Sequence, residues 1–552
     1  MMLAILRREL IAILRTRKAF VLQLGVALCF VGLIALRWPT DGRVDLSGTR
    51  SGQVFGLFSY GLLAAVALLA PVFPATSIVT ERRKGTLALL LNSPLRAWSI
   101  YAGKWLGVLG FISLLLVLTL PAAAACYAMG GISLTGQLLA VYGLLLLAAM
   151  LYISLGLLVS SLAHSADGAV RVTYGCVLAL AVLTLAPYFF LQQSGGWLSE
   201  LAAWVRCISP VPAMMEIVGH GDVGSEAAWK GPSAVVRFML LAPLLASLFS
   251  GITISRLRYH LLDRARSQGL ITDNRSLGTR AARRAFFIVD PNRRSRNIGN
   301  WVNPVMAKEF RSRRFGRSHW MLRLIGGCAI LSLFLAFTVT TGTVQWDLES
   351  VGGPLVLLQV GLMVVFMPSL AAGLISSEQE NNAWPLLRTS PLSGGRIVRG
   401  KLLSALWTML LMLLATLPGY AVMIYIQPTL WLQVIRAFVC LFLAGLMALM
   451  ISAMVGSWFR KTAAATTAAY VAVLGLFGGT LLIWLARDAP FGFQTVENAL
   501  KLNPMAAALS VFNLPGFRNY QLIPASWWVA GVVIVICFVV MRFRVQSLTR
   551  PE

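Results

Sequence analysis

Acidic residues are what this sequence has least of. Twenty Asp and Glu stand against 47 Lys and Arg in 552 residues, a net charge of +27. Charged residues make up 12% in all, where a soluble domain carries about a quarter. With 58% hydrophobic residues and a mean hydropathy of +0.77, the composition excludes a soluble globular domain and describes an integral membrane protein. Cysteine is scarce as well. The seven (positions 29, 126, 176, 207, 328, 440 and 537) lie far apart with no C-x-x-C spacing, which supports neither a zinc site nor a disulfide framework. His164, His220, His260 and His319 are scattered in loops with no i, i+4 pairing for a metal. No paired carboxylates fall inside the apolar runs, and an intramembrane acid is the usual mark of an ion-coupled carrier. The basic excess lies between apolar runs rather than among stacking aromatics, so it reports topology and no nucleic-acid partner is expected.

What is there is a series of apolar runs. Residues 2–18 are too charged to span a bilayer; Leu3, Leu6, Leu10, Ile13 and Leu14 share one helical face opposite Arg8 and Arg15, the pattern of a helix lying in the interface. Spans are expected near 19–36, 53–74, 103–129, 137–162, 170–191 and 234–254, each close to the ~20 residues a crossing needs. No small-x-small cleavage site follows the run at 19–36, so a removed signal peptide is not expected. Ser255 to His319 then holds sixteen Lys/Arg against four acids. Such a linker is expected to stay cytoplasmic and to bind anionic lipid headgroups. The pattern restarts at Asn303-Pro304, and spans are expected near 320–340, 354–375, 402–426, 431–457, 466–486 and 525–543. Loops 77–104, 255–319 and 376–401 are basic, whereas loops 193–233 and 341–353 carry the acids. Both termini are therefore expected in the cytoplasm.

One stretch is present twice. Thr80 to Lys104 reads TERRKGTLALLLNSPLRAWSIYAGK; Ser377 to Lys401, 297 positions on, reads SEQENNAWPLLRTSPLSGGRIVRGK. Glu81 matches Glu378, Ser93-Pro94-Leu95 matches Ser390-Pro391-Leu392, and Gly103-Lys104 matches Gly400-Lys401. Arg8-Glu9-Leu10 matches Lys308-Glu309-Phe310, Pro121 matches Pro418, and Ser209-Pro210 corresponds to Asn503-Pro504. The fold class expected is all-α, with twelve transmembrane helices as two parallel six-helix repeats: 1–254, a linker at 255–300, and 301–552. A short amphipathic segment kept twice between two spans reads as a docking surface. Gly395–Lys401 also fits the phosphate-cradling pattern G-x-x-x-x-G-K. However, Leu402 stands where a magnesium-binding hydroxyl belongs and no strand precedes it. The chain itself is therefore not expected to be an enzyme, or to bind a cofactor or metal.

These residues resemble the ABC-2 type transporter permeases, the membrane halves of many bacterial ABC exporters. The likeness rests on Glu81-Arg82-Arg83-Lys84-Gly85-Thr86, the leucines after it, Ser93-Pro94-Leu95, Gly103-Lys104, Arg8-Glu9-Leu10, Ser209-Pro210 and Asn503-Pro504. It implies six spans per half, an interfacial helix before them, and a cytoplasmic coupling helix between spans two and three that contacts an ATPase subunit. The implied ATPase-docking residues are Glu81, Arg82, Arg83, Lys84, Gly85, Thr86, Leu87, Leu90, Leu91 and Pro94, then Glu378, Glu380, Leu386, Leu387 and Pro391. Arg8 and Glu9, and Lys308 and Glu309, mark the interfacial helices. The resemblance further implies two fused half-permeases in the cell inner membrane, and two separate ATPase subunits that bind the ATP. The second half departs from the pattern: Gln379, Glu380, Asn381 and Asn382 replace the basic run and the glycine, and Ala383 the threonine. Other readings are a secondary carrier with two parallel six-span halves, a membrane-bound enzyme, or an assembly scaffold. Substrate is left open.

Overall fold

The computed structural model describes residues 2–15, 17–35, 49–93, 96–163, 165–182, 184, 188, 197–219, 233–259, 303–312, 326–327, 329–330, 333, 348–389, 392–485, 492–514 and 516–549. Among them there are helices and turns but no strand. The chain divides into two compact units, Met1–Ser267 with Leu482–Val496, and Gln268–Leu481 with Glu497–Glu552.

The first unit opens with α1 (Met2–Leu14) and α2 (Arg17–Ala35), followed by α3 (Thr49–Leu69) and α4 (Val72–Arg83). A short helix, α5 (Thr86–Asn92), leads into α6 (Ala97–Leu118) and α7 (Leu120–Ala128). A π-helical turn at Leu134–Leu139 enters α8 (Ala140–Leu162), and α9 (Ala166–Val182), α10 (Trp197–Arg206), α11 (Pro210–Val218) and α12 (Ala234–Tyr259) complete the unit. α8 is its axis. Leu144, Leu145, Ala148, Ala149, Tyr152 and Ile153 are all buried there, as suits a helix apolar all round.

Two breaks in this unit have local causes. Pro121 sits in the first turn of α7, where its missing N–H costs nothing, and Thr119 donates its hydroxyl to Leu116 O at 2.7 Å to satisfy a freed carbonyl. Ser209 caps α11 by accepting from Val211 N at 3.3 Å and donates to Ala181 O at 3.3 Å. α10 and α11 meet there at 86°.

The second unit contains α13 (Pro304–Ser312), α14 (Leu348–Ala371), α15 (Gly373–Glu380), α16 (Trp384–Arg388), α17 (Gly394–Ala415) and α18 (Leu417–Ile426). After a 3₁₀ turn at Pro428–Leu430 come α19 (Trp431–Gly456), α20 (Thr462–Leu485), α21 (Phe493–Lys501), α22 (Pro504–Val511) and α23 (Ala525–Thr549). The devices recur. Pro418 begins α18, with Thr416 donating to Leu413 O at 2.9 Å. Asn503 caps α22 through Met505 N at 3.0 Å and donates to Phe477 O and Thr480 Oγ1. Tyr174 of α9 donates to Leu68 O, and Tyr470 of α20 to Val365 O.

Among the described residues nine helical stretches are long and apolar enough to cross a membrane, or ten if α10 and α11 form one broken span. Three of the twelve expected spans are not among the nine. At 19–36 the helix α2 runs Arg17–Ala35, and the apolar stretch described within it is Gln23–Ala35. At 170–191 helix is described only to Val182. The span at 320–340 lies, but for isolated residues, outside the described residues, as does the basic linker beyond 259. Phe20, Val21, Leu24 and Leu28 on α2, and Trp528, Val532, Val535 and Ile536 on α23, are exposed, a surface that a bilayer would cover.

Candidate functional site: two repeated stretches, each tied by an ion quartet around a buried lysine

In the first unit the repeated stretch starts where α4 ends. Gly85 takes φ 74, a left-handed turn that glycine adopts without steric cost, and Thr86 donates its hydroxyl to Glu81 O at 3.2 Å. The chain reverses into α5, whose leucines divide by height. Leu87 is buried in the unit's core with Ile78 and Tyr101, and Leu91 packs against that core. Leu90 is half-buried, while Leu89 projects at 72% exposure. Arg83, Lys84, Thr86 and Trp98 are exposed as well. Arg82 is half-buried and donates to Ala163 O. Ser93 closes the helix by donating to Leu90 O at 2.6 Å; Pro94 lies outside the described residues.

Beneath α5 is a cluster of four charges. Lys104, 3% exposed in the second turn of α6, places Nζ 2.9 Å from Glu81 Oε1 and 3.1 Å from Glu9 Oε1. It also donates to Ser77 Oγ at 3.0 Å, so all three of its protons have acceptors. Arg8 Nη2 reaches Glu81 Oε1 at 2.7 Å and Glu9 Oε1 at 2.8 Å. Burial opposes the charge of Glu9, but Lys104 and Arg8 outweigh it and hold its carboxyl below the ordinary value of 4.5. The interfacial helix reaches this far because Gly103 has no side chain: a Cβ there would lie 2.7 Å from Ile5 Cγ2. The face of α1 that meets α6 carries Ile5, Glu9 and Leu10; of the expected leucine side, Leu6, Leu10 and Ile13 are half-buried and Leu14 is exposed.

The second unit repeats the arrangement with changed residues. Asn382 stands where the first unit has Gly85 and takes φ 51, a conformation asparagine tolerates better than most side chains. Ala383 N donates to Glu378 O at 2.9 Å, in place of the Thr86 hydroxyl. Lys401, also 3% exposed, lies 2.6 Å from Glu309 Oε1 and 3.0 Å from Glu378 Oε1, and Lys308 Nζ is 2.8 Å from Glu378 Oε1. A Cβ on Gly400 would lie 2.8 Å from Asn303 Oδ1 and 2.9 Å from Val305 Cβ. One difference is chemical: Leu374 occupies the position of Ser77, so Lys401 has no hydroxyl acceptor there. Glu380 accepts from Thr462 N at 2.8 Å, and Trp384 Nε1 donates to Leu548 O at 3.2 Å. Leu387 is half-buried; the side chain of Leu386 and all of Pro391 lie outside what is described.

Each quartet holds two acids and two bases, so its net charge is zero, the condition under which charges can be buried without a stranded ion. The sequence separates these residues into docking and interfacial sets, yet Arg8, Glu9 and Glu81 meet at Lys104, and Lys308, Glu309 and Glu378 meet at Lys401. Sequence reasoning missed the two lysines as partners and Leu89 as the most exposed leucine. A lone lysine beside a glycine inside an apolar helix, twice at the same spacing, was the available signal. Gly395–Lys401, the phosphate-loop pattern, occupies the first turns of α17, and its lysine is held by carboxylates. Among the described residues no group of three or more His, Cys, Asp or Glu is placed to hold a metal.

No curated protein matches the chain. Residues 38–257, which include α3 to α11 with the whole first copy of the repeated stretch, match a family described as ABC-2 family transporter protein. Over those residues the chain is similar to the ABC-2 transporter family, and its long apolar helices are those of a multi-pass membrane protein.

Proposed function

We propose that the chain is the complete transmembrane part of an ATP-driven exporter, two half-permeases fused through the basic linker at 255–300, and that it is powered by two separate ATPase subunits. Members of this family work with such subunits in general. In this reading α5 and α16, within loops 77–104 and 376–401, are the docking helices. Both face the cytoplasm with the linker and the two termini, in an inner membrane whose anionic headgroups hold the linker. Twelve spans in two parallel sets of six follow from the paired positions in the sequence. ATP is bound by the partners, and the chain supplies the pathway.

The observation that carries the reading is Leu89. A leucine at 72% exposure sits on a seven-residue helix outside the long apolar stretches, in a stretch where Arg83, Lys84 and Trp98 are exposed as well. An exposed apolar side chain with exposed cations close in sequence fits a protein interface, whose apolar core carries a polar rim. The test is co-purification of the ATPase with the wild-type chain and with Leu89→Asp, both expressed from their native operon. Because Leu89 contributes nothing to the core, the variant keeps its fold and is expected to lose the ATPase. Undiminished association would overturn the docking role.

A further inference from the structure

The loop from Glu81 to Lys104 leaves the first unit and returns to it with its ends tied: Glu81 Oε1 and Lys104 Nζ are 2.9 Å apart. The loop from Glu378 to Lys401 closes in the same way at 3.0 Å. In each a third element is caught in the same knot, α1 through Glu9 at 3.1 Å and α13 through Glu309 at 2.6 Å. An exposed ion pair would be a weak fastening, since water and salt compete for both partners. These lysines are dry. Neither can leave one carboxylate without stranding a charge in a low-dielectric interior. Glycine on the preceding position lets the interfacial helix touch the loop's returning helix directly. A merely stabilising role would be met by one buried pair, yet both units aim two acids from two different helices at a single lysine.

We propose that Lys104 and Lys401 are positioning residues: each staples shut the base of a docking loop and locks the interfacial helix to it. A displacement of α5 is thereby carried into α1, α4 and α6 as one rigid body, and a displacement of α16 into α13, α15 and α17. The proposal rests on the reading of α5 and α16 as docking helices. Transmission then begins at the staple rather than at the ends of the spans. Because the second quartet lacks the serine acceptor, its lysine is held by carboxylates alone.

The test places spin-labelled unnatural amino acids at Leu89 and Ile11, both exposed, in the full-length chain in lipid nanodiscs, and reads the distance distribution by pulsed EPR. The wild type is expected to show one narrow distance. Lys104→Met is expected to at least double the width. The variant Arg8→Gln, Glu9→Gln, Glu81→Gln, Lys104→Met removes all four charges of the quartet and strands none, so its melting temperature is expected to recover while the distribution stays broad. That outcome separates positioning from stability. A narrow distribution in Lys104→Met, or its return in the neutral quadruple variant, overturns the staple. No ATPase is present in this measurement, so its failure leaves the docking reading intact, and retention of the ATPase by Leu89→Asp overturns that reading without altering the distances.

Discussion

Lys401 Nζ lies 2.6 Å from Glu309 Oε1, and both side chains are all but inaccessible to solvent. Removing one member of a buried pair leaves the other uncompensated, at a cost of about 3–5 kcal/mol. Lys401→Met is therefore expected to lower stability by that amount in thermal or denaturant unfolding in detergent. The Glu497–Lys501 pair on α21 is a control, an i, i+4 contact at 3.0 Å with more solvent access. Lys501→Ala is expected to cost no more than about 0.5 kcal/mol. Equal losses from the two variants would show that the quartet contributes no more than a surface pair.

The first quartet is expected to respond to acid. The carboxyl of Glu9 is held below its ordinary value of 4.5, so its contribution is complete above that value and is lost as pH falls through the lowered folded value. The melting temperature should be flat from about pH 7 to pH 5 and should fall below that range. In Glu9→Gln the fall is expected to be shallower. An identical acid slope in the wild type and Glu9→Gln would show that Glu9 is not held this way.

Close approach at Gly103 supplies a third prediction. Its Cβ would meet Ile5 Cγ2 at 2.7 Å, and overpacking at such a contact costs about 1–3 kcal/mol. Gly103→Val is expected to loosen α1, read as faster proteolysis near residue 15. Ile5→Ala in the same chain should restore part of the protection, because it removes Cγ2 and leaves only the Cβ contact at 2.9 Å. Unchanged proteolysis in Gly103→Val would contradict the contact.

The two short helices proposed to dock an ATPase differ in charge. Arg83 and Lys84 are exposed beside α5, whereas Gln379 and Asn381 flank α16. Rim charges act mainly on encounter and specificity. Changing Arg83 and Lys84 together to Glu is thus expected to weaken ATPase association more than changing Gln379 and Asn381 to Glu, measured by co-purification across a salt series. Equal losses would remove the asymmetry.

Much of this was legible beforehand, for identifiable reasons. The all-helical membrane class follows from apolar runs whose lengths are set by bilayer thickness, and Ser209-Pro210 and Asn503-Pro504 were legible as a matching pair, though not as the helix caps they form. The turn after Glu81 was legible from Gly85, but its persistence at Asn382 was not, since the substitution there reads as a departure. The quartets were hidden because the pair on α1 or α13 lies about 70 to 95 residues from its partners and no local periodicity joins them. Arg8 and Glu9 read as the polar side of an interfacial helix, and Glu81 as part of an exposed charge run. Only the fold shows that they share one lysine. On α5 the helical period groups Leu87, Leu90 and Leu91 and puts Leu89 on the opposite face, and Leu89 is the exposed one.

The central claim is that α5 receives an ATPase, and it is tested most directly by a photocrosslinking amino acid at Leu89, activated in membranes that contain the whole transporter. The account predicts an adduct between this chain and an ATP-binding subunit, identified by mass spectrometry, and none from the same probe at buried Leu87. Adducts with lipid alone at Leu89, or equal protein adducts at both positions, would contradict it.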